Sequence, residues 1–560
     1  MVKADINFSG KNIEQDPIKW QNLESQNIVH RLINRELQHG RNGTCFITAR
    51  KFYLHIVPNC SILNVDKPPC YLRKFSPDGK HFIAISYDQT SLEIYDFNGS
   101  NVAGHLTENI NGELIPGTED NEDKSSRVRS QVFSLFLHKR HVVRVTGGEE
   151  VLNRECSLFT DDSRFVIVGS CHQLPDETGS RFYDVYRNNE CITPNNRLVP
   201  EDYTLFIIEL KTGVVCDQRC FRLDKIYLSH NQGVCLYGNI LTVLSVQQQM
   251  IHVFQISPQG TFVDIRTIGR FCYDDDEAFY RQTCHLLPRI SNSRPYNDTS
   301  INSLKHRLLV YLYKAAYNGH LDQGVRSFYW AMDDILNLRM GKLQLLDEEH
   351  ILIKYAIEEV VTFRNGDPFN MPSLFVVYNM NSTEILGVYE HTSPELLELM
   401  ENFHDHFRNS WLHLQPQFPS SPSSSVHARR IQQIFKWTLI VAKNGGQREA
   451  ISRMLTQLPV SAQSYSCSPY LDLALFSYDD KWVSQLERPK TCSDHPIRFF
   501  TRDSGMLRFK ISTGAAERQL PPISRRLVAF IFHPFEPFVI SVQRTATDYK
   551  VNFHVRKCSV

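Results

Sequence analysis

Short runs of β-branched and aromatic residues, broken by polar turns, make up most of the chain. One turn grammar recurs. It reads KFSPDGKHFIAIS at Lys74–Ser86, LFTDDSRFVIVGS at Leu158–Ser170, LFSYDDKWVSQLE at Leu475–Glu487 and IFHPFEPFVISVQ at Ile531–Gln543. In each, an apolar strand ends in Phe, the chain reverses through Asp, Gly or Pro, and a new strand opens on Phe or Trp. Such turn residues let a strand reverse within a few positions. Further strand pairs are read at Tyr203–Phe221, turning at Lys211-Thr212-Gly213, and at Leu374–Glu390. Asn239–Gly269 reads as three successive strands, and LVAFIFHP, FVISVQ and YKVNFHV as the last three. Antiparallel units repeated over so long a chain predict a mainly β fold, a β-propeller of about seven or eight degenerate blades. Thr44–Pro58 is expected to close the ring by pairing with the final blade, which removes an exposed edge.

The unit after FSPDG is the most regular. Ser86, Asp88, Thr90 and the Tyr95-Asp96 pair fall where a WD-type repeat has Ser, Asp, Thr and Trp-Asp. Three segments break the β texture with helical periodicity: Ile301–Met340 in two halves, Ser393–Trp411 after a Ser-Pro-Glu start, and Arg429–Leu458 as two helices around Asn444-Gly445-Gly446. Thr107–Arg129, Leu287–Ser300 and Gln415–Ser425 read as polar, mobile linkers.

The pattern at the start of the chain is different. QNIVHRLINRELQHG carries Ile28, Val29, Leu32, Ile33 and Leu37 at three-and-four spacing, one apolar face of a helix over 26–39. Ser25 suits its N-cap and Gly40 its stop. About a dozen helical residues are marginal alone in water, so this face must dock, on its own domain or on another protein. The reading therefore divides the chain into residues 1–43, with that helix, and a propeller over 44–560. Helical insertions near 301–340, 393–411 and 429–458 interrupt the propeller.

Composition narrows the function classes. With 560 residues, 42% hydrophobic and 22% charged, the chain suits a soluble globular protein. Sixty-one basic residues balance 61 acidic ones, so no global field recommends nucleic acid. Fourteen cysteines scattered from Cys45 to Cys558 form no C-x-x-C pair and read as reduced thiols of a cytosolic or nuclear protein. The polar N-terminus has no signal-peptide core, and no apolar stretch of about 18 residues is available to span a membrane.

Catalytic signatures are missing: no P-loop, no H-E-x-x-H, no G-x-S-x-G and no G-x-G-x-x-G. His404 and His406 stand two apart, on different faces of a helix, and read as solvated rather than metal-binding. Asp274–Glu277 reads as a solvated acidic turn. Cys216 and Cys220, placed across a hairpin turn, read as ordinary thiols. Arg429-Arg430 and Arg525-Arg526 are too short to argue for nucleic acid. No metal or cofactor is expected, and the chain reads as a non-catalytic protein-binding scaffold.

Longer motifs carry a specific resemblance. VDKPPCYLRKFSPDGKHFIAISYDQTSLEIYDF, ILTVLSVQQQMIHVFQ, LPVSAQSYSCSPYLDLALFSYDDKWVSQLERPKTC and FHPFEPFVISVQRT resemble the De-etiolated family, and similar stretches cover nearly the whole chain. The resemblance implies a non-enzymatic subunit of a cullin-RING ubiquitin ligase. Such a subunit docks on the damaged-DNA-binding adaptor. It works with the Constitutive-photomorphogenic RING ligase, a small adaptor-associated subunit, and a ubiquitin-conjugating enzyme or its inactive variant. The implied output is degradation of transcription factors in the nucleus, with the cytoplasm as a second location. NIVHRLINREL then resembles a docking helix for the adaptor's cleft. Ile28, Val29, Leu32 and Arg35 match that pattern, and Ile33 and Leu37 extend its apolar face. The helical insertions are expected to hold the conjugating enzyme or the RING ligase. Two other classes stay open: a propeller scaffold in trafficking or RNA processing, and a propeller enzyme working in the central channel.

Overall fold

The structure, a computed structural model, describes residues 52–102, 104, 113–114, 122–173, 190–192, 201–269, 303–319, 321–363, 373–408, 426–442, 445–473, 475–492, 495–513, 526–544 and 549–557. The chain separates into two units, Met1–Phe52 and Tyr53–Val560, and the fold below is that of the second.

Strand β1 (Cys60–Ile62) comes first. The first sheet is β2 (Cys70–Phe75), β3 (His81–Ser86), β4 (Ser91–Phe97) and β6 (Leu137–Arg144); β5 (Glu113–Leu114) and helix α1 (Glu122–Phe136) lie between its last two strands in sequence. The second is β7 (Val151–Phe159), β8 (Phe165–Gln173), β9 (Glu201–Glu209) and β10 (Val215–Asp224). The third is β11 (Val234–Tyr237), β12 (Ile240–Ser245), β13 (Met250–Ile256) and β14 (Phe262–Ile268). Helices α2 (Ser303–Gly319) and α3 (Leu321–Leu336) follow. The fourth sheet is β15 (Leu338–Leu345), β16 (His350–Ile357), β17 (Ser373–Asn379) and β18 (Ile385–Glu390), with α4 (Glu358–Phe363) after β16. Then come α5 (Pro394–Asn402), α6 (His404–Phe407), α7 (Val426–Val441) and α8 (Gln447–Leu455). The fifth sheet has three strands, β19 (Phe476–Ser477), β21 (Ile497–Thr501) and β22 (Leu507–Ile511). The sixth runs β20 (Lys490–Cys492), β23 (Arg526–Phe532), β24 (Val539–Arg544), β25 (Tyr549–Val555), β1, β5. The fold is mainly β, built of sheets whose strands are antiparallel apart from the β1–β5 pair. Six sheets form among the described residues, where about seven or eight were expected.

Three turns, after Ser76, Ser86 and Thr160, share one geometry, whereas the turn after Ile531 is organised by the His533 ring. A hydroxyl at the first position bonds an Asp two residues on and accepts the backbone N–H five residues on. Ser76 Oγ donates to Asp78 Oδ1 at 2.6 Å and accepts from His81 N at 3.0 Å. Thr160 does the same with Asp162 and Phe165, at 2.6 and 3.1 Å. Ser86 bonds Asp88 and accepts from Ser91 N. The residue after the Asp takes positive φ in each case: Gly79 at 72°, Ser163 at 54° and Gln89 at 58°. At Gly79 a side chain is also excluded by space, since a Cβ would lie 2.6 Å from the His533 ring.

Neighbouring sheets bury their faces against each other. Ile83, Ile85 and Ile94 meet Val166, Val168 and Ile208 between the first and second sheets. Leu158 and Ile207 meet Leu241 and Phe254 between the second and third, and Ile251 and Val253 meet Ile351 and Ile353 between the third and fourth. Phe75 and Phe82 meet Phe538 and Phe553 between the first and sixth, and Phe499 and Phe509 meet Val528 and Phe532 between the fifth and sixth. Each such side chain contributes about 1.5–3 kcal/mol through burial. The fourth sheet instead buries Leu352 and Phe375 against Leu396, Met400, Met454 and Leu455 of α5 and α8.

Three expectations need correction. The strand that joins the last sheet is Cys60–Ile62, a little beyond Thr44–Pro58. It pairs Cys60 with Val555 and Ile62 with Phe553. Asn59 fastens the same edge, its Nδ2 donating to Lys557 O at 3.1 Å and its Oδ1 accepting from Lys557 N at 2.6 Å. Described Thr44–Pro58 residues form a short 3₁₀ turn at Phe52–Leu54 instead. Second, Leu475–Glu487 is no hairpin. Only Phe476–Ser477 is a strand, pairing with β21, and Leu486 makes one isolated bridge to Tyr465. Trp and Asp here serve packing and turns rather than a second strand. Third, the Thr107–Arg129 linker contains β5 and the first turns of α1; Val132, Phe133 and Phe136 of that helix are buried on the first and sixth sheets. The linkers at Leu287–Ser300 and Gln415–Ser425 lie outside the described residues.

Primary amides tie edge strands to distant loops. Gln463 Oε1 accepts from Phe159 N and its Nε2 donates to Phe159 O, both at 2.7 Å. Asn231 treats Ser157 the same way, at 3.0 and 3.2 Å. Gln249 Oε1 accepts from Met340 N at 2.6 Å while its Nε2 donates to Met340 O at 3.2 Å. Each amide offers one donor and one acceptor, as a neighbouring strand would. The loop that carries Gln463 also receives Lys74 Nζ on its carbonyl at 3.0 Å, and Ser464 Oγ donates to His230 O at 2.9 Å. Val460 N donates to Gln344 Oε1 on β15 at 2.6 Å. Replacing Gln463 by Leu keeps the bulk and strands the Phe159 N–H and C=O. We expect a loss of about 2 kcal/mol in the unfolding free energy, read by urea denaturation, with the native fold retained by circular dichroism.

Candidate functional site

The residues read as the adaptor-binding face, Ile28, Val29, Leu32, Ile33, Arg35 and Leu37, lie outside the described residues. So does the Asp274–Glu277 run. The surfaces that the structure does describe are the exposed faces of the helices.

Helices α2 and α3 form a pair. Leu304 and Leu308 of α2 enter the core of the third and fourth sheets. Between them Lys305 is buried, and its Nζ donates to Ile335 O and Leu336 O, both at 3.2 Å, and to Leu338 O. A cation at these carbonyls satisfies the C-terminal end of α3 and its dipole. Glu190 lies 3.5 Å from Lys305 and 2.9 Å from Arg339. Burial, more than Glu190 can offset, brings the Lys305 ammonium down to about 8. Farther along the pair, Tyr313 stacks on Tyr317 at 6.3 Å and meets Phe328 edge-on at 5.5 Å. Tyr317 and Tyr329 are exposed there, and Trp330 is 87% exposed.

The α5–α8 group presents a second such face. Ser393 caps α5 through Leu396 N at 3.3 Å, with Pro394 in the first turn. Leu396, Leu397 and Met400 pack on Ile451, Met454 and Leu455 of α8. Helix α7 is tied to α5 by Lys436 and Glu401 at 3.5 Å and leaves Ile434, Phe435, Trp437 and Val441 exposed, with Arg429 and Arg430 at its start. Single exposed apolar residues are ordinary, but Ile434, Trp437 and Val441, at three-and-four spacing on one face of α7, together mark a docking surface.

Titratable groups elsewhere serve the scaffold. Lys74 lies over the Phe159 ring at 5.2 Å, and burial brings its ammonium down to about 8 although Glu487 opposes the shift. No group of three or more His, Cys, Asp or Glu is placed to hold a metal among the described residues. His404 is not solvated: burial first, then the Arg408 charge, lowers it to about 3. The two-residue spacing is right, but packing of α6 against the helical group half-buries His404 and shields its Nδ1 from water. Cys216 and Cys220 sit on the single strand β10 rather than across a turn, since the reversal falls at Gly213; both are free thiols.

Two buried, neutral histidines serve the sixth sheet, His533 tying it to the Gly79 turn of the first sheet and His554 joining strands within it. His533 Nδ1 accepts from Phe535 N and Glu536 N at 3.1 and 2.8 Å, which leaves Nε2–H to donate to Gly79 O at 2.9 Å. His554 lies between Ser61 and Ser541 hydroxyls at 2.8 and 3.0 Å. Burial lowers them to about 4 and about 3.

Stacked antiparallel sheets with helical faces left open define the class, a β-scaffold that carries its exposed aromatic chemistry on inserted helices. The chain belongs to the De-etiolated protein 1 (Det1) family, whose profile matches residues 154–557. It is 32% identical over 554 residues to the light-mediated development protein DET1 of Solanum lycopersicum, covering 96% of this chain and 100% of that one. It is 30% identical over 572 residues to the protein of the same name from Arabidopsis thaliana, covering 95% and 99%. Among solved structures, the RRP9 WD40 repeats align over 90% of this chain and 95% of theirs, at 8% identity and a TM-score of 0.24, too low to carry an argument.

Neutral burial of His404, His533 and His554 sets a pH dependence. Their folded values lie below the unfolded value, near 6.5, so between the two the unfolded chain binds more protons. Stability is therefore full above about pH 6.5 and falls as pH drops toward 4, by up to about 1.4 kcal/mol per pH unit for each histidine. Urea midpoints at pH 7.5, 6 and 5 should fall in that order, and His554→Gln should flatten the slope.

Proposed function

We propose that this protein is a non-catalytic scaffold and receptor subunit of a cullin-RING ubiquitin ligase. It docks on the damaged-DNA-binding adaptor and helps recruit the Constitutive-photomorphogenic RING ligase, a small adaptor-associated subunit, and a ubiquitin-conjugating enzyme or its inactive variant. The assembly acts in the nucleus to mark transcription factors for proteasomal degradation. The observation that carries the reading is family membership over nearly the whole chain, at 32% identity to a relative named for light-mediated development. Two features support it. The 26–39 pattern suits a helix laid in a groove, with one apolar face and the single charge of Arg35 fixing register. The exposed aromatic faces of α3 and α7 give the scaffold further docking surfaces.

The helix is tested first. Leu32→Asp and Arg35→Glu should each weaken capture by the adaptor about tenfold to a hundredfold, corresponding to about 1.5–3 kcal/mol of lost burial or pairing. The unfolding transition should not change. Retained adaptor binding by the folded double variant refutes this docking mode. For the inserted helices, Trp330→Ser and Trp437→Ser should leave adaptor capture intact and reduce capture of the conjugating enzyme or the RING ligase at least about tenfold, as loss of an aromatic anchor does. Unchanged capture in both variants removes the insertions from partner binding.

A further inference from the structure

A cavity of about 230 Å³ opens between α5, α6, the end of α8 and the Leu473–Leu486 stretch. Most of its wall is apolar or aromatic, with Met400, Phe407, Leu458, Val460, Tyr465 and Tyr478 contributing. A dry cavity of about 150 Å³ accommodates benzene, so this volume takes one ring or branched side chain together with a small polar head.

The polar groups in the wall are unequal. Arg408 follows α6 directly. Its Nη1 donates to Gln485 Oε1 at 2.8 Å, and its guanidinium lies 4.7 Å over the Tyr465 ring. Its Nε–H is buried and has no hydrogen-bond partner, and no salt bridge reaches Arg408 among the described residues. His404 Nδ1, one turn earlier, is likewise buried and unpartnered. The imidazole is held neutral, so it adds hydrogen-bonding capacity and no competing charge. Asp480, the acidic residue of the wall, is exposed at its edge. A half-buried guanidinium without an anion bears a desolvation cost, and the Nε–Nη side of its fork has the geometry to take a carboxylate through two parallel bonds.

We propose that this cavity binds a monocarboxylate carried on an apolar or aromatic body, with Arg408 pairing the carboxylate and the Tyr465–Tyr478 wall receiving the body. Two sources supply that chemistry: a free organic acid, or the terminal residue of a peptide with a free C-terminus. The site is independent of the adaptor-docking reading, and variants in it leave adaptor capture unchanged.

The test uses the full-length protein and titration calorimetry with four probes: phenylacetate, phenylacetamide, and a tripeptide ending in Phe with a free or an amidated terminus. A carboxylate probe should bind at least tenfold more tightly than its amide. Arg408→Gln, which keeps hydrogen-bonding capacity and removes the charge, should lose at least tenfold of that binding. Gln485→Glu, nearly isosteric, supplies an internal carboxylate to the same guanidinium; it should abolish probe binding and raise the melting temperature. Binding of phenylacetate alone assigns the site to free acids, and preference for the free-terminus peptide assigns it to peptide ends. Equal binding of acid and amide overturns the proposal, as does no binding by either acid, or undiminished acid binding in a Gln485→Glu protein that melts cooperatively.

Discussion

Strands β7 and β15 each stand at the end of a sheet, with one edge that has no strand beside it, and the N–H and C=O groups there still require partners. Side-chain amides meet that requirement here. Ser157 and Phe159 are two apart on β7 and so face the same edge. Asn231 takes the first and Gln463 the second, each accepting one bond and donating another. Gln249 repeats the arrangement on Met340 of β15. These amides come from loops distant in sequence, so satisfying an edge also sets the spacing of sheets. Losing one amide strands two backbone groups at once, which is why the arrangement outweighs its number of bonds.

The stretch from Val460 to Glu487 inherits its path from this constraint. It touches β15 through Gln344, β7 through Gln463, β2 through Lys74 and the turn before β11 through Ser464. It then supplies the first strand of the fifth sheet. The α5–α8 group fills the space beside the fourth sheet, and the Arg408 cavity lies where that group meets this stretch. The helices are thus packed into the scaffold on one side and open on the other, an arrangement suited to bringing proteins together.

Hairpins closed by a hydroxyl, an Asp and a positive-φ residue are legible in sequence because all three determinants are local. The helices at 303–336, 394–407 and 426–455 are legible in outline from their periodicity. What they expose is not: Trp330 and Trp437 look like core residues by composition, and only the absence of a covering element among the described residues makes them surface. Leu475–Glu487 imitates the hairpin grammar, but its polar groups answer to distant edges, so the local pattern misleads. The closing strand fails similarly. Thr44–Pro58 has stronger β character than CSI, yet register with Phe553 and Val555 selects the latter. His404 is half-buried by packing between helices that no spacing rule reports. The 26–39 face is the clearest amphipathic signal in the chain, and it lies outside the described residues.

Residue 60 lies beside residue 555, so the sixth sheet borrows a strand that comes before every other sheet in the sequence. A nascent chain emerging from the ribosome can assemble its middle sheets early, but this one must wait until Val555 has been made. Until then the Cys60–Ile62 edge has no mate and Phe82 has no Phe538 to pack upon. The segment from Arg526 to Val555 therefore decides whether the sheets synthesised before it become a packed fold or a substrate for quality control.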